Sequence, residues 1–250
     1  TNQPNNVKRQ SESMNAHSKM TSSLTARKIL GYIAAGIIPT MGIVAPPAYP
    51  STADKIEGSL VSQKLTAEKA IELLKRASKL EQLGRHEESA RIWEKLKVFS
   101  ESALGPNHPS TARTISSLAN SYHYQGLYSK AKPLYQRALE ININALGPEH
   151  IDTAISLRNL GALYESQGLY SKAEPLYKRA LMIHEKSLGP EHPKTESSMN
   201  DLAGIHDSQG LYNKAEELYD QVLAIRERLL GPEHLDTATS LNNLAYIYHN

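Results

Sequence analysis

The amino-acid sequence predicts an all-α fold of helical hairpins that repeat along the chain and stack side by side, and three observations lead to that prediction. The segment LGPxH begins at residues 104, 146, 188 and 230, so it recurs every 42 residues. Single glycines at positions 84, 126, 168 and 210 recur at the same interval. Between these landmarks, apolar residues follow the i, i+3, i+4, i+7 spacing of amphipathic helices. A fixed period of this length is typical of supersecondary units that stack to bury a shared core.

The unit at residues 146–187 shows the two helices of each hairpin. Its periodic positions are Leu157, Leu160, Gly161 and Tyr164 in helix A and Ala173, Leu176, Tyr177 and Ala180 in helix B. We expect helix A to begin at Asp152, whose carboxylate can accept hydrogen bonds from free first-turn amides, and to end at Gly168. Helix B is expected to be capped by Ser171 and to end at Leu188, because a Gly-Pro pair follows.

A period of 42 residues alone would also suit HEAT or armadillo helices or the blade of a propeller. No segment alternates apolar and polar residues at period two, so the propeller is not supported. The helical alternatives are separated by residue types: a small residue after a leucine, a tyrosine three residues later, a turn glycine and an Ala-Tyr-Ala ladder in helix B. In the second unit these are Leu118, Ala119, Tyr122, Gly126, Tyr128, Ala131, Tyr135 and Ala138, and in the third they are Leu160, Gly161, Tyr164, Gly168, Tyr170, Ala173, Tyr177 and Ala180.

This pattern resembles the tetratricopeptide repeat (TPR), and the long period with its LGPEH linker narrows the resemblance to the kinesin-light-chain-like class, about eight residues longer than the usual ~34. The resemblance covers roughly residues 65–250 and implies a right-handed α-solenoid of four hairpins plus helix A of a fifth. The expected units are residues 65–103, 104–145, 146–187 and 188–229, with a partial unit at 230–250. Bacterial proteins of cyanobacterial type that resemble this chain carry a leader before such repeats and often continue into a caspase-like CHAT domain.

Residues 1–64 precede the repeats and differ from them in composition. Residues 1–23 are polar and aperiodic, which predicts a disordered start. Residues 24–53 combine two basic residues, an uncharged apolar run at 29–45 and a small, Pro-rich exit, as in a secretory signal peptide cleaved after Ala53 or Ala48. As a helix the run would reach only about 25 Å against the ~30 Å hydrocarbon core, so a membrane anchor at 29–45 is the alternative and a buried strand a further one. We therefore expect an exported bacterial protein in which residues 54–64 form a linker.

Charge and composition exclude several function classes. The formal net charge is +2, but residues 1–53 hold five Lys or Arg and one acidic residue, which leaves 23 basic and 25 acidic residues for the rest. A nearly neutral repeat region is not expected to bind nucleic acid or an anionic membrane surface. The chain has no cysteine and no nucleotide-loop, GxSxG, HExxH or EF-hand motif. We expect no catalysis by this chain, no cofactor and no small-molecule substrate, and membrane contact only through an uncleaved N-terminal segment.

One histidine occurs in each linker, at His108, His150, His192 and His234. Neighbouring copies are separated by a helical hairpin, roughly 10 Å or more, so they cannot share one metal ion, whose ligands lie within about 2 Å. We expect each of them instead to bond the backbone at the end of a helix.

The TPR resemblance also implies a binding groove, because helix A lines the concave face of such an array. The candidate groove residues flank the buried leucine of each helix A and are Asn120, His123, Arg158, Asn159, Glu165, Asn200, Asp201, Asp207, Asn242, Asn243 and Tyr246. In the family, an Asn directly before that leucine clamps the backbone of an extended peptide; Asn159 and Asn243 match this pattern, whereas Ser117 and Asp201 depart from it. Arg158 would favour an acidic ligand position, and Asp201 with Asp207 a basic one.

The sequence thus predicts a non-catalytic scaffold that binds an extended peptide or a partner protein in the TPR groove. An alternative from another class is the sensor half of a larger effector, whose CHAT-like protease domain would follow residue 250. A structural spacer is a third hypothesis. Leu241, Leu244 and Tyr248 are expected to expose an apolar face, because the partner helix of their hairpin would lie beyond residue 250.

Overall fold

The computed structural model describes residues 65–249, and within them the chain forms nine α-helices and no β-strand. The disordered start, the signal peptide or anchor, and the linker predicted for residues 1–64 lie outside the described residues. The helices are α1 (Ala67–Gln82), α2 (His86–Leu104), α3 (Pro109–Tyr124), α4 (Tyr128–Leu146), α5 (Ile151–Ser166), α6 (Tyr170–Leu188), α7 (Pro193–Ser208), α8 (Tyr212–Leu230) and α9 (Leu235–His249). No helix of this part of the chain is long and apolar enough to cross a membrane.

The helices pair into hairpins that stack in chain order, as the repeat predicts. The odd-numbered helices are the A helices and the even-numbered ones the B helices, and each packs against the next along the chain. The turn glycines adopt left-handed backbone angles, with φ 69° at Gly168, and glycines such as Gly189 (φ 89°) end the B helices. The α-solenoid of four hairpins and a fifth helix A is thus confirmed within the described residues.

The starts of the helices differ from the prediction. Helix α5 begins at Ile151, and its N-cap is His150, whose Nδ1 accepts from the Asp152 amide at 3.1 Å. Asp152 instead lies in the first turn, so its predicted capping role is wrong. Ser171 does not cap helix B either, because α6 begins at Tyr170 and its N-cap Leu169 makes no side-chain bond.

The linker histidines bond the backbone at helix ends, as the sequence predicts. In every linker the imidazole Nδ1 accepts from the amide two residues later at 3.1 Å, in the pairs His108–Ser110, His150–Asp152, His192–Lys194 and His234–Asp236. The capping amides are those that an α-helix leaves without an internal partner.

A second contact in each linker comes from a threonine that the sequence argument did not use. Three residues after each histidine, a fully buried threonine donates its hydroxyl to the carbonyl of the glycine that ends the preceding helix, at 2.7–2.8 Å. The pairs are Thr111–Gly105, Thr153–Gly147, Thr195–Gly189 and Thr237–Gly231. The histidine and the threonine together fix the path between one hairpin and the next.

The core runs continuously between hairpins and depends on small residues beside tyrosines. Tyr135 packs among Ala119, Ala131 and Leu160, so that one cluster joins two units. At the last helix, Leu241 and Tyr248 are exposed as expected. The same expectation is wrong for Leu244, which is 5 % exposed because it packs against Ala203, Ala215 and Tyr219.

Candidate binding face of the A helices

The A helices of successive units contact each other directly through polar side chains. His123 Nε2 lies 2.8 Å from Ser166 Oγ, Arg113 binds Asp152 at 2.9 Å, and Arg158 binds Asp201 at 2.6 Å. These contacts join α3 to α5 and α5 to α7. We call the resulting surface the helix-A face, formed by the half-buried and exposed side chains at residues 116–123, 158–165, 200–207 and 242–249.

Arg158 and Asp201 form the shortest of these contacts, between Nε and Oδ2. Each side chain is 25 % exposed, and each neutralises the other. This finding differs from the sequence-based expectation that Arg158 would attract an acidic ligand position and Asp201 a basic one. The ion pair connects two A helices and leaves neither charge uncompensated.

Three further candidates also hold the array together. Asn120 Oδ1 accepts from the buried Tyr135 hydroxyl at 2.5 Å, and Glu165 Oε2 accepts from the Tyr177 hydroxyl at 2.6 Å. Burial raises the pKa of Glu165, and the nearby Asp201 carboxylate adds to that shift. Burial lowers the pKa of His123, whose ring stacks on Tyr124. These residues link the helix-A face to the tyrosines of helix B beneath it.

Several other candidates have polar groups that bind no described residue. Among the described residues, the side-chain amides of Asn159, Asn242 and Asn243 take part in no hydrogen bond, and Asp207 takes part in no ion pair. Asn200 Oδ1 is buried without a hydrogen-bond partner in the same part of the chain. Burial raises the pKa of Asp207. Tyr246 is 56 % exposed on α9, but unlike these residues it already makes an interaction within the chain.

The helix-A face is open rather than enclosed. A depression of about 400 Å³ beside Val98, Leu118 and Leu134 reaches the edge of this face at Tyr122, and a second one lies beside Arg137 and Ile141 on α4. Neither is lined by a candidate groove residue. In the described part of the chain, no group of three or more His, Asp or Glu side chains is placed to hold a metal ion. An open row of amides and carboxylates suits an extended chain better than a compact small molecule.

Comparisons with known proteins agree with this architecture. The family model described as "Tetratricopeptide repeat" matches residues 69–143, 115–186, 167–228 and 205–249, which together span more than half of the chain. No curated protein is significantly similar to the chain.

Solved structures give the same fold. Two crystal structures of a Podosopora anserina protein described as a kinesin light chain with nearly identical TPR-like repeats, one of them a point variant, are 27% identical to this chain. Both have a TM-score of 0.63 and match 72% of this chain and 85% or 86% of theirs. BtubC (BKLC) from P. vanneervenii, at 21% identity and a TM-score of 0.64, matches 73% of this chain and 72% of its own and shares the fold.

Proposed function

Since the chain belongs to the tetratricopeptide repeat family, whose arrays are scaffolds for protein–protein interaction, we propose that its helix-A face binds an extended segment of a partner protein. The observation that supports this most is that the Asn159 and Asn243 amides lie on that face and bond to no described residue. An Asn side chain donates and accepts at once, so it can satisfy the alternating N–H and C=O groups of an extended backbone.

The spacing of the array fits such a ligand. Packed helices lie roughly 10 Å apart, and an extended chain rises about 3.3 Å per residue, so each unit along the face corresponds to about three peptide residues. Asn159 on α5 and Asn243 on α9 are two units apart. They would therefore hold backbone groups about six residues apart in the same ligand.

The test is to replace each asparagine by alanine and to measure the affinity for peptides selected from a random 12-residue library on the parent protein. Losing a hydrogen bond that leaves its partner unpaired costs about 1–3 kcal/mol, so each of the two single variants, Asn159→Ala and Asn243→Ala, should bind about 5- to 150-fold more weakly in calorimetric titrations. The matched control is Asn144→Ala on the exposed side of the B helix α4. Equal losses for the control and the groove variants, or no loss in either groove variant, would show that the helix-A face is not the binding surface.

A further inference from the structure

The tyrosines of helix B differ between units in what their hydroxyls meet. The Tyr135 hydroxyl donates to Asn120 and the Tyr177 hydroxyl donates to Glu165, both on the helix-A face. Tyr219 occupies the same repeat position and is only 5 % exposed. Its hydroxyl, however, makes no hydrogen bond to any described residue. Unlike the unpaired atoms of Asn200 and His206 on the same helix α7, this hydroxyl oxygen is not fully buried, so a ligand group can reach it.

Two changes on α7 leave this hydroxyl unpaired. Gly204 stands at the repeat position of Asn120, and Asp207 stands at that of Glu165 with one methylene fewer. A Cβ atom built on Gly204 would lie 3.8 Å from the Tyr219 hydroxyl and 4.0 Å from Glu165 Oε1. The missing side chain therefore opens a small recess, which we call the Gly204 notch, bordered by Gly204, Tyr219 and Glu165, with Asp207 about one helical turn away on α7.

The Gly204 notch carries negative charge that nothing in residues 65–249 neutralises. Glu165 is held by the Tyr177 hydroxyl through Oε2, which leaves Oε1 facing the notch, and neither Glu165 nor Asp207 forms an ion pair there. The nearby cation on this face, Arg158, is already bound to Asp201. Burial first, and then the Asp207 and Glu165 carboxylates, raise the pKa of Tyr219 to about 12. A cation placed here would relieve the cost of burying these carboxylates.

We propose that the Gly204 notch binds the side-chain cation of a lysine or arginine in the extended segment that lies along the helix-A face. The proposal rests on the function proposed above and adds the chemistry of one ligand position. Tyr219 and Glu165 each place an oxygen acceptor at the notch, and Asp207 lies about one helical turn further along α7. An ammonium group has three donors and a compact charge, so lysine fits best. Asn120 in unit 2 fills the corresponding space, and no such position is expected there.

The test uses the same random 12-residue library selected on the parent protein. The expected result is a lysine or arginine shared by the selected peptides, and replacing that residue by methionine should lower affinity for the parent about tenfold or more. In the Gly204→Asn variant, the new side chain fills the notch and gives Tyr219 the partner that Asn120 gives Tyr135. This variant, and independently Asp207→Asn, should bind the original peptide about tenfold more weakly and lose the preference for the basic residue. Glu217→Gln makes the same charge change on α8. This variant should bind the selected peptide and its methionine variant with the same affinities as the parent protein.

The outcomes separate this proposal from the one it rests on. Selected peptides that respond to Asn159→Ala but contain no shared basic residue would overturn the notch and leave the groove in place. The notch would also be overturned if the selected peptides share a basic residue, but its replacement by methionine lowers affinity as much for Gly204→Asn and Asp207→Asn as for the parent. If no peptide is selected, or if none responds to the asparagine variants, both proposals are wrong.

Discussion

At the scale of single residues, two glycines inside A helices have opposite surroundings. Gly161 lies against a helix-B tyrosine, and a Cβ atom there would come within 2.8 Å of Tyr177 Cε1. Gly204 has room for a Cβ atom instead, because the nearest contacts of that atom would be at 3.8 and 4.0 Å, the ordinary van der Waals range. The sequence pattern predicts a small residue at position 161, where the neighbouring units have Ala119 and Ala203. It could not show that only the hydrogen atom of glycine fits beside this tyrosine.

We expect alanine to act in opposite directions at these two positions. Alanine in a helix interior is favoured over glycine by about 0.5–1 kcal/mol, so Gly204→Ala should raise the free energy of unfolding by about that amount. In Gly161→Ala the same gain is outweighed by overpacking, which costs about 1–3 kcal/mol, because the bond from Tyr177 to Glu165 holds the ring in place. Urea denaturation of the parent and of both variants gives the two changes in the free energy of unfolding. Shifts of the same sign would contradict the packing argument.

Several contacts could not be predicted because they join residues of different units. Arg158 and Asp201 are 43 residues apart in sequence, and only the placement of two A helices side by side turns them from independent charges into an ion pair. The threonines three residues after each linker histidine were visible as a fourfold periodic signal. Their partner is a backbone carbonyl, however, which sequence does not display.

At the scale of helices, each B helix from α4 onward contacts a serine of the next A helix through one polar side chain. We call each such B-to-A contact a seam, and the residue on the B helix differs from seam to seam. Asn142 on α4 donates to Ser156 on α5 at 2.9 Å, and Arg226 on α8 donates to Ser240 on α9 at 2.8 Å. At the seam of α6 and α7 the pair is His184 and Ser198, with Nδ1 and Oγ 2.9 Å apart. His184 is fully buried, and its Nε2 has no hydrogen-bond partner in the described part of the chain.

The His184 seam should weaken in acid. Burial, followed by the positive charges of Arg158, Lys194 and His192, lowers the pKa of His184 from 6.5 to about 4. Since the unfolded chain then binds a proton more readily than the folded one, the stabilisation is complete above about pH 6.5 and is lost as pH falls toward 4, by about 3 kcal/mol in total. His184→Asn copies the pair of Asn142 and Ser156 and should remove this part of the pH dependence.

The measurement is the free energy of unfolding by urea between pH 7.5 and 4 for the parent and for His184→Asn. Other groups titrate over this range as well, and the raised pKa of the Glu165 carboxyl acts in the opposite direction. Because these groups are common to both proteins, the difference between the two curves isolates His184. Parallel curves over the whole range would rule out the proton linkage at this seam.

At the scale of the whole molecule, the sequence was sufficient for the architecture because a fixed period encodes nearest-neighbour packing. The glycine turns and the ends of the B helices followed from residue types, whereas the N-caps did not, because a histidine takes the place of the Asp or Ser expected there. The candidate face was placed by its position beside the buried leucines. Which of its polar groups are free for a ligand depended on contacts between units, and the sequence could not supply these.

In a one-dimensional array, the effect of a cavity depends on where in the array it lies. Leu160 on α5 and Leu244 on α9 share one repeat position and are almost equally buried, at 6 % and 5 % exposure. Leu160 packs against Ala119, Ala131 and Tyr135 and so joins units 2 and 3, whereas Leu244 holds only α9 against α8 and α7. Leu160→Ala should therefore lower the global free energy of unfolding by about 2–5 kcal/mol, because a break in the middle of the array uncouples both halves.

Leu244→Ala removes the same atoms, but in a protein of residues 1–250 its effect should stay local, because α9 is the last helix there and can detach while the four hairpins remain folded. Hydrogen exchange should then show faster exchange confined to α9, with little change in the urea midpoint of the rest. The comparison is matched in residue type, burial and repeat position, so only the place in the array differs. If both variants lowered the midpoint equally, the described residues would unfold as a single cooperative unit, and the nearest-neighbour description would fail for this protein.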